Sequence, residues 1–147
     1  MNTTTTILMT LTVAFGAAAC AETESASVDA VELTFKDAVV HAHALGADQV
    51  RADVTDHDGA VQASLVWDQA RGEGVLDDHA GARSERIALD GEAVALPLEL
   101  VAEMAYESWR GRDDDKLRYG DCYWAGTTGG GIECCWGNRG WNCIVWN

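Results

Sequence analysis

The last stretch of the chain, Tyr119 to Asn147, carries four of the five cysteines and four of the six tryptophans of the 147 residues. It also holds a dense glycine cluster, residues 129–131. Three short runs rich in aromatic, β-branched and cysteine residues are separated by glycine-containing connections, which is the pattern of short strands joined by turns. A piece this small buries too little apolar surface to hold itself together without cross-links. We therefore predict a three-stranded β-meander over residues 119–147 that is stapled by disulfides.

The pairing of these cysteines follows from strand register. A tight turn in the second connection places Cys134 opposite Cys143, and a six-residue loop in the first places Cys122 opposite Cys135. One register for each hairpin brings both pairs together, so Cys122–Cys135 with Cys134–Cys143 is the preferred connectivity. The alternative, Cys122–Cys134 with Cys135–Cys143, stays open. The spacing contains no C-x-x-C pair and no neighbouring histidine, which argues against a zinc site.

The aromatic residues of this stretch allow two interpretations. They can cover the disulfides and dock the meander on the rest of the protein. Alternatively, some of them form an exposed aromatic surface suited to stacking on sugars or gripping a protein partner. The possible binding surface consists of Tyr123, Trp124, Trp136, Trp141 and Trp146.

The N-terminal residues 1–19 have the features of an export signal. The apolar run from Ile7 to Ala19 is shorter than the ~20 residues of a transmembrane helix and has the length of a signal-peptide core. It ends in Ala17-Ala18-Ala19-Cys20, which resembles the lipobox of bacterial lipoproteins, although Ala17 stands where leucine is usual. The resemblance implies that Cys20 is diacylated, becomes the mature N-terminus and anchors the protein to a membrane.

The cysteine count agrees with a lipid anchor. An odd cysteine in an exported protein needs an explanation, and lipidation of Cys20 leaves four cysteines that can pair. Residues 20–28 are small, polar and acidic, as a flexible tether would be. Ordinary signal cleavage to a secreted protein is the alternative, with a cleavage site ending at Ala19 or Ala21.

Residues 29–112 are predicted to form an acidic α+β domain, in which one C-terminal helix packs on an antiparallel sheet of five or six strands. The strongest local signal is Asp58-Gly59 between two alternating runs, which favours a two-residue type I′ hairpin. In that register six apolar residues share one face: Val54 opposite Ala63, Ala52 opposite Leu65, and Val50 opposite Trp67. On the other face, Thr55 faces Gln62 and Asp53 faces Ser64.

Pro97 stands where a helix would begin, because the first helical position tolerates a missing N–H. Residues 98–110 then carry apolar side chains at helical spacing, and Gly111 is a natural stop. Residues 113–118 are predicted to be a solvated linker.

The charge of the chain excludes some partners. A formal net charge of −14 and a pI near 4.4 argue against nucleic acid, because binding would have to overcome repulsion from phosphate. The same charge argues against electrostatic attachment to an anionic membrane surface.

Two histidines are the best candidates for metal chemistry. His41 and His43 lie two apart on a predicted strand, so both point to one face, and such a pair can begin a metal site. We expect them to be ordinary exposed residues, because the alternating alanines and valines form the buried face. A calcium loop around Asp56 and Asp58 would need acidic residues at positions 54 and 65, where Val54 and Leu65 stand. Residues 126–131 lack the Lys-Ser/Thr of a phosphate-binding loop.

These observations predict an exported, lipid-anchored, non-enzymatic protein of the cell envelope without a cofactor. It would bind an unknown protein or glycan through its C-terminal module. One alternative is a precursor that is cut at residues 113–118 and releases a disulfide-bonded peptide with toxin-like or signalling activity. A lesser alternative is a metal-dependent enzyme that uses His41 and His43.

Overall fold

The computed structural model describes residues 29–79, 83–112, 117–127 and 129–147. The predicted signal, the predicted lipidation site Cys20 and the predicted tether lie outside the described residues, as do residues 113–116 of the predicted linker. The strands are β1 (Ala30–Thr34), β2 (Val39–Ala44), β3 (Gln49–Thr55), β4 (Val61–Asp68), β5 (Glu73–Asp78), β6 (Arg83–Leu89), β7 (Cys122–Thr127), β8 (Gly130–Gly137) and β9 (Gly140–Trp146). The helix is α1 (Leu98–Arg112). No helix in the described ranges has the length and apolar character needed to cross a membrane.

The strands form a single sheet in the order β1-β2-β3-β4-β5-β6-β9-β8-β7. The α+β class is confirmed, but over the described ranges the sheet has nine strands, more than the five or six predicted. The prediction that the C-terminal strands form a meander separate from the sheet was wrong in one respect. Its three strands pair as predicted, but β9 also pairs with β6 in parallel over three residue pairs, from Ile87–Trp141 to Leu89–Cys143. The C-terminal strands therefore extend the sheet.

A glycine makes this junction possible. Gly140 has a φ of +112°, and a Cβ at this position would lie 2.1 Å from the backbone oxygen of Arg86. Both the backbone conformation and the close approach of the two chains exclude any larger residue. The turn between β8 and β9 thus fits against β6 only because residue 140 has no side chain.

The β3–β4 hairpin confirms most of the predicted register. All six apolar residues of the predicted face are paired as expected and are buried. The prediction that Thr55 faces Gln62 was wrong, because a bulge after Val54 places Thr55 opposite Val61. The carboxylate of Asp56 accepts hydrogen bonds from the backbone N–H groups of Asp58 and Ala60, each at 2.9 Å. This side-chain cap stabilises a longer turn than the two-residue loop expected from Asp58-Gly59.

Helix α1 packs against one face of the sheet, which we call the covered face. It contacts both edge strands, β1 and β7, as well as strands between them, so the sheet curves around the helix. Tyr106 stacks on Phe35 beside β1, with ring centroids 3.8 Å apart. At the other end of the sheet, the Ser108 and Tyr123 hydroxyls lie 2.7 Å apart.

The helix also ends later than predicted. It continues through Gly111 to Arg112. A Cβ on Gly111 would lie 3.3 Å from Cζ2 of Trp141, so the glycine gives the indole room to pack against the last helical turn. Packing therefore keeps in the helix a residue that would otherwise end it.

Candidate binding surface on the C-terminal strands

The structure contains the preferred disulfide connectivity. Cys122 is bonded to Cys135, and Cys134 is bonded to Cys143. Each bond joins residues that are directly opposite on neighbouring strands, in the predicted register. Because Cys134 and Cys135 are adjacent, they point to opposite faces. One disulfide is consequently buried on the covered face, and the other lies on the opposite face, which we call the open face.

Three of the five predicted surface residues belong instead to the covered face. Trp141 is 3% exposed, and the half-buried rings of Tyr123 and Trp136 contact it edge-on, with centroids 4.9 and 5.2 Å away. These three residues point to the same face of the sheet as the buried Cys134 and Cys143, so they take part in the core. Burial raises the pKa of Tyr123, and the hydrogen bond with Ser108 acts in the opposite direction.

The other two predicted residues are exposed on the open face. Trp124 is 47% exposed and Trp146 is 50% exposed. Ile144, which lies on the same face, is 45% exposed. We call Trp124, Ile144 and Trp146 the aromatic patch. Ile144 was missed from the sequence, although its alternation with Trp146 would have placed both on one face.

The geometry of the patch depends on a residue without a side chain. Glu133 on β8 lies between Trp124 and Ile144, and Gly131 lies opposite Trp146. A Cβ on Gly131 would lie 2.7 Å from Cζ2 of Trp124, so the indole occupies the space that a side chain would fill. The Trp124 indole thereby lies over β8 at the residue opposite Trp146, on the same face as the exposed disulfide.

A groove adjoins the patch at the end of β9. It has a volume of about 670 Å³ and is lined by the segment that follows β6, the first turns of α1, the end of β7, the start of β8 and the end of β9. Its apolar lining includes Leu89, Val94, Leu96, Leu100, Ile144, Val145 and Trp146. Its acidic residues are Asp90, Glu92, Glu99 and Glu103. No lysine, arginine or histidine from the described part of the chain lines this groove.

His41 and His43 lie on the open face of β2, at the other end of the sheet. They are opposite Asp53 and Arg51 respectively. His41 Nδ1 lies 3.2 Å from a carboxylate oxygen of Glu32, and both side chains are exposed at the surface. The structure brings no third ligand to these two histidines within the described ranges.

One group of three potential metal ligands occurs in the described part of the chain, consisting of Cys122, Glu133 and Cys135. The two sulfurs are bonded to each other, so they are not available as thiolates. Metal binding through the predicted histidines stays a prediction.

A polar network occupies the open face between the histidines and the patch. The Ser64 hydroxyl donates to Asp53 Oδ1 at 2.6 Å and lies 3.1 Å from His79 Nε2. Asp53 also accepts from Arg51 Nε at 3.0 Å. Because Ser64 gives its proton to a carboxylate, the imidazole is not placed to take that proton, and the arrangement differs from that of an activated serine nucleophile.

Comparison with known protein families, with characterised proteins and with solved structures gives no match for this chain.

Proposed function

We propose that this protein is an exported, lipid-anchored binding protein of the cell envelope, and that the aromatic patch is its contact surface. The observation that carries the proposal is the exposure of two indoles, Trp124 and Trp146, beside Ile144 on one face. When a ligand covers a cluster of exposed aromatic side chains, their apolar surface is removed from water, which favours binding. Such clusters pack against sugar rings or against side chains of a protein partner. Their side chains carry no group that titrates near neutral pH, so the patch is suited to binding rather than to proton transfer.

The cross-links favour this use of the patch. Two disulfides tie β7 to β8 and β8 to β9, so the strands that carry the indoles are held in fixed register. A preorganised surface loses less conformational entropy when it binds. Paired cysteines are also typical of proteins outside the reducing cytoplasm, which supports export.

The precursor alternative is weaker on physical grounds. The strands after residue 118 supply Ile132, Cys134 and Cys143 to the common core, and all three are fully buried. Release of these strands would expose the covered face and leave β6 without its neighbour β9.

The binding proposal is tested with the double variant Trp124→Ala/Trp146→Ala. The matched control is Val75→Ser, because Val75 is an open-face apolar residue of similar exposure, 45%, on β5. Both proteins and the wild type are screened against an oligosaccharide array and a display library of random peptides. We expect ligands that bind the wild type and the control but lose binding to the double variant. The proposal is wrong if no ligand is enriched, or if every ligand binds the double variant equally well.

The location is tested separately. Intact-mass measurement of protein from the membrane fraction is expected to show a chain that begins at Cys20, carries acyl chains and ends at Asn147. Cys20→Ser should move the protein out of that fraction. A mature species that begins near residue 119 would instead support the precursor alternative.

A further inference from the structure

The end of β9 is an open strand edge. β6 accompanies β9 only as far as the pair Leu89–Cys143. The chain then turns away at Gly91, whose φ is +101°. Among the residues that the structure describes, β9 is therefore paired from Ile144 to Trp146 with β8 on one side only.

The direction of the backbone groups at this edge follows from one hydrogen bond. The N–H of Asp90 donates to the carbonyl oxygen of Cys143 at 2.7 Å, so the backbone groups of Cys143 point towards β6. Residues two apart on a strand point their N–H and C=O groups to the same side. The N–H and C=O of Val145 therefore point into the groove, where β6 has ended. No backbone bond from the described ranges occupies them.

Open edges are usually protected by lysine, proline or a covering segment. β9 contains neither lysine nor proline, and the open part of its edge forms one side of the groove. Apolar side chains from the segment before α1, from α1 and from β9 line the groove, among them Leu96, Leu100, Val145 and Trp146. The site thus combines unpaired backbone groups with apolar side-chain subsites, the two requirements for recognition of an extended peptide by strand addition.

The charge of the groove selects among peptides. Asp90, Glu92 and Glu99 are exposed at its rim. Glu103 accepts a hydrogen bond from the N–H of Gly126 at 2.8 Å, which fixes a fourth carboxylate at the wall. An acidic rim around an apolar groove is complementary to a segment that alternates basic and apolar residues.

We propose that this groove binds an extended segment of a partner protein with alternating basic and apolar residues, which adds as a strand to the open edge of β9. This inference rests on the proposed binding function and adds the class of partner. The apolar residues of the segment enter the groove beside Trp146, and its lysines or arginines face Glu92 and Glu99. The contact spans about three residues of β9, or ~10 Å at ~3.3 Å per residue. A second copy of this chain fits poorly, because it would bring an equally acidic rim against the first.

The probe is a labelled, end-blocked peptide of about seven residues that alternates lysine and valine, enough to extend past the ~10 Å edge. Binding to the complete protein is measured by fluorescence anisotropy at low salt. The first control peptide carries glutamate in place of lysine. The second has methyl groups on alternate backbone nitrogens, which block strand pairing but keep the charge.

Two protein variants test the two parts of the site. Val145→Pro removes an N–H that points into the groove and not towards β8, a position where a strand tolerates proline. Glu92→Lys/Glu99→Lys reverses the charge of two acidic residues at the rim of the groove. The matched charge control is Asp48→Lys/Asp58→Lys, since Asp48 and Asp58 are exposed and do not line the groove. Thermal unfolding checks that each variant is folded.

We expect the basic peptide to bind the wild type and the charge control, with affinity that falls as salt is added. Each groove variant should weaken binding about tenfold or more, the factor expected from the loss of one well-made polar contact. Equal binding of the N-methylated peptide would overturn strand addition, and equal binding of the acidic peptide would overturn the charge argument. Concentration-dependent dimers that Val145→Pro converts to monomers would assign the edge to a second copy instead.

The two proposals fail in different ways. If the basic peptide does not bind but a ligand that depends on Trp124 does, only the partner class is wrong, because Trp124 does not line the groove. If neither binds, the proposed function falls with the inference.

Discussion

The two disulfides differ in burial, and this difference predicts how much each one stabilises the protein. They close loops of similar length, with sequence separations of 13 for Cys122–Cys135 and 9 for Cys134–Cys143. Loop-closure entropy alone gives about 2.9 kcal/mol for the first and about 2.6 kcal/mol for the second. By this criterion the longer loop contributes slightly more to the free energy of unfolding.

Packing reverses the order. Cys134 and Cys143 are fully buried, so replacing both by alanine also removes two core sulfurs and leaves a cavity, at a cost of about 1 kcal/mol each. We expect Cys134→Ala/Cys143→Ala to lose about 4.5 kcal/mol. Cys122→Ala/Cys135→Ala, on the open face, should lose about 3 kcal/mol.

Urea unfolding under oxidising conditions, followed by tryptophan fluorescence and by circular dichroism, measures both losses. Changing both cysteines of a pair avoids a free thiol that would scramble the remaining bond. Brief treatment of the wild type with a thiol reductant should also break the exposed bond first. A larger loss for the open-face pair would refute the reasoning, because it would show that burial on the covered face adds nothing to the entropic term.

Three further predictions concern the junction, the helix and the C-terminal strands. Gly140→Ala should lower the free energy of unfolding by about 3 kcal/mol, because the new Cβ would lie 2.1 Å from the backbone oxygen of Arg86; a loss under ~1 kcal/mol would contradict this account. Burial, with a smaller effect of the hydrogen bond to Asp37, raises the pKa of Tyr106 to about 12. The neutral Tyr106 side chain therefore contributes its full stability below about 10, the pKa of tyrosine in the unfolded chain, and this stability is lost as the pH rises through 12. Tyr106→Phe should therefore make alkaline unfolding less steep between those two values, and an unchanged profile would count against it. A chain that ends at residue 118 should show no cooperative unfolding transition, and native-like circular dichroism from it would revive the precursor alternative.

Much of the local structure could be predicted because it depends on neighbours in the sequence. The alternation of side chains on a strand has a period of two, so the turn lengths indicated which cysteines face each other and favoured the two bonds that the structure contains. The same reasoning gave the buried faces of β3 and β4. It was wrong at Thr55, where the Asp56 carboxylate captures two backbone N–H groups and lengthens the turn. That side-chain cap overrode the general preference for a two-residue loop.

The candidate site could be predicted only in part. The alternation of side chains along the strands places Trp124 and Trp146 on one face of the sheet and Trp136 and Trp141 on the other, and this alternation can be read from the sequence. Which of the two tryptophan pairs is exposed depends on the face of the sheet that α1 covers, and no local sequence pattern predicts that face. Tyr123 lies on the covered face because its hydroxyl contacts a helix that precedes it in the chain.

The sequence by itself determined the strands of the hairpins and the start of the helix after Pro97, and it favoured the disulfide pairing that the structure contains, because each depends on short-range geometry. Only the tertiary structure decided that β9 joins β6 in parallel, since that pairing brings together segments about fifty residues apart and gives no periodic signal. This one contact merges two predicted modules into one sheet. It also ends early enough to leave the edge of β9 open beside the acidic groove.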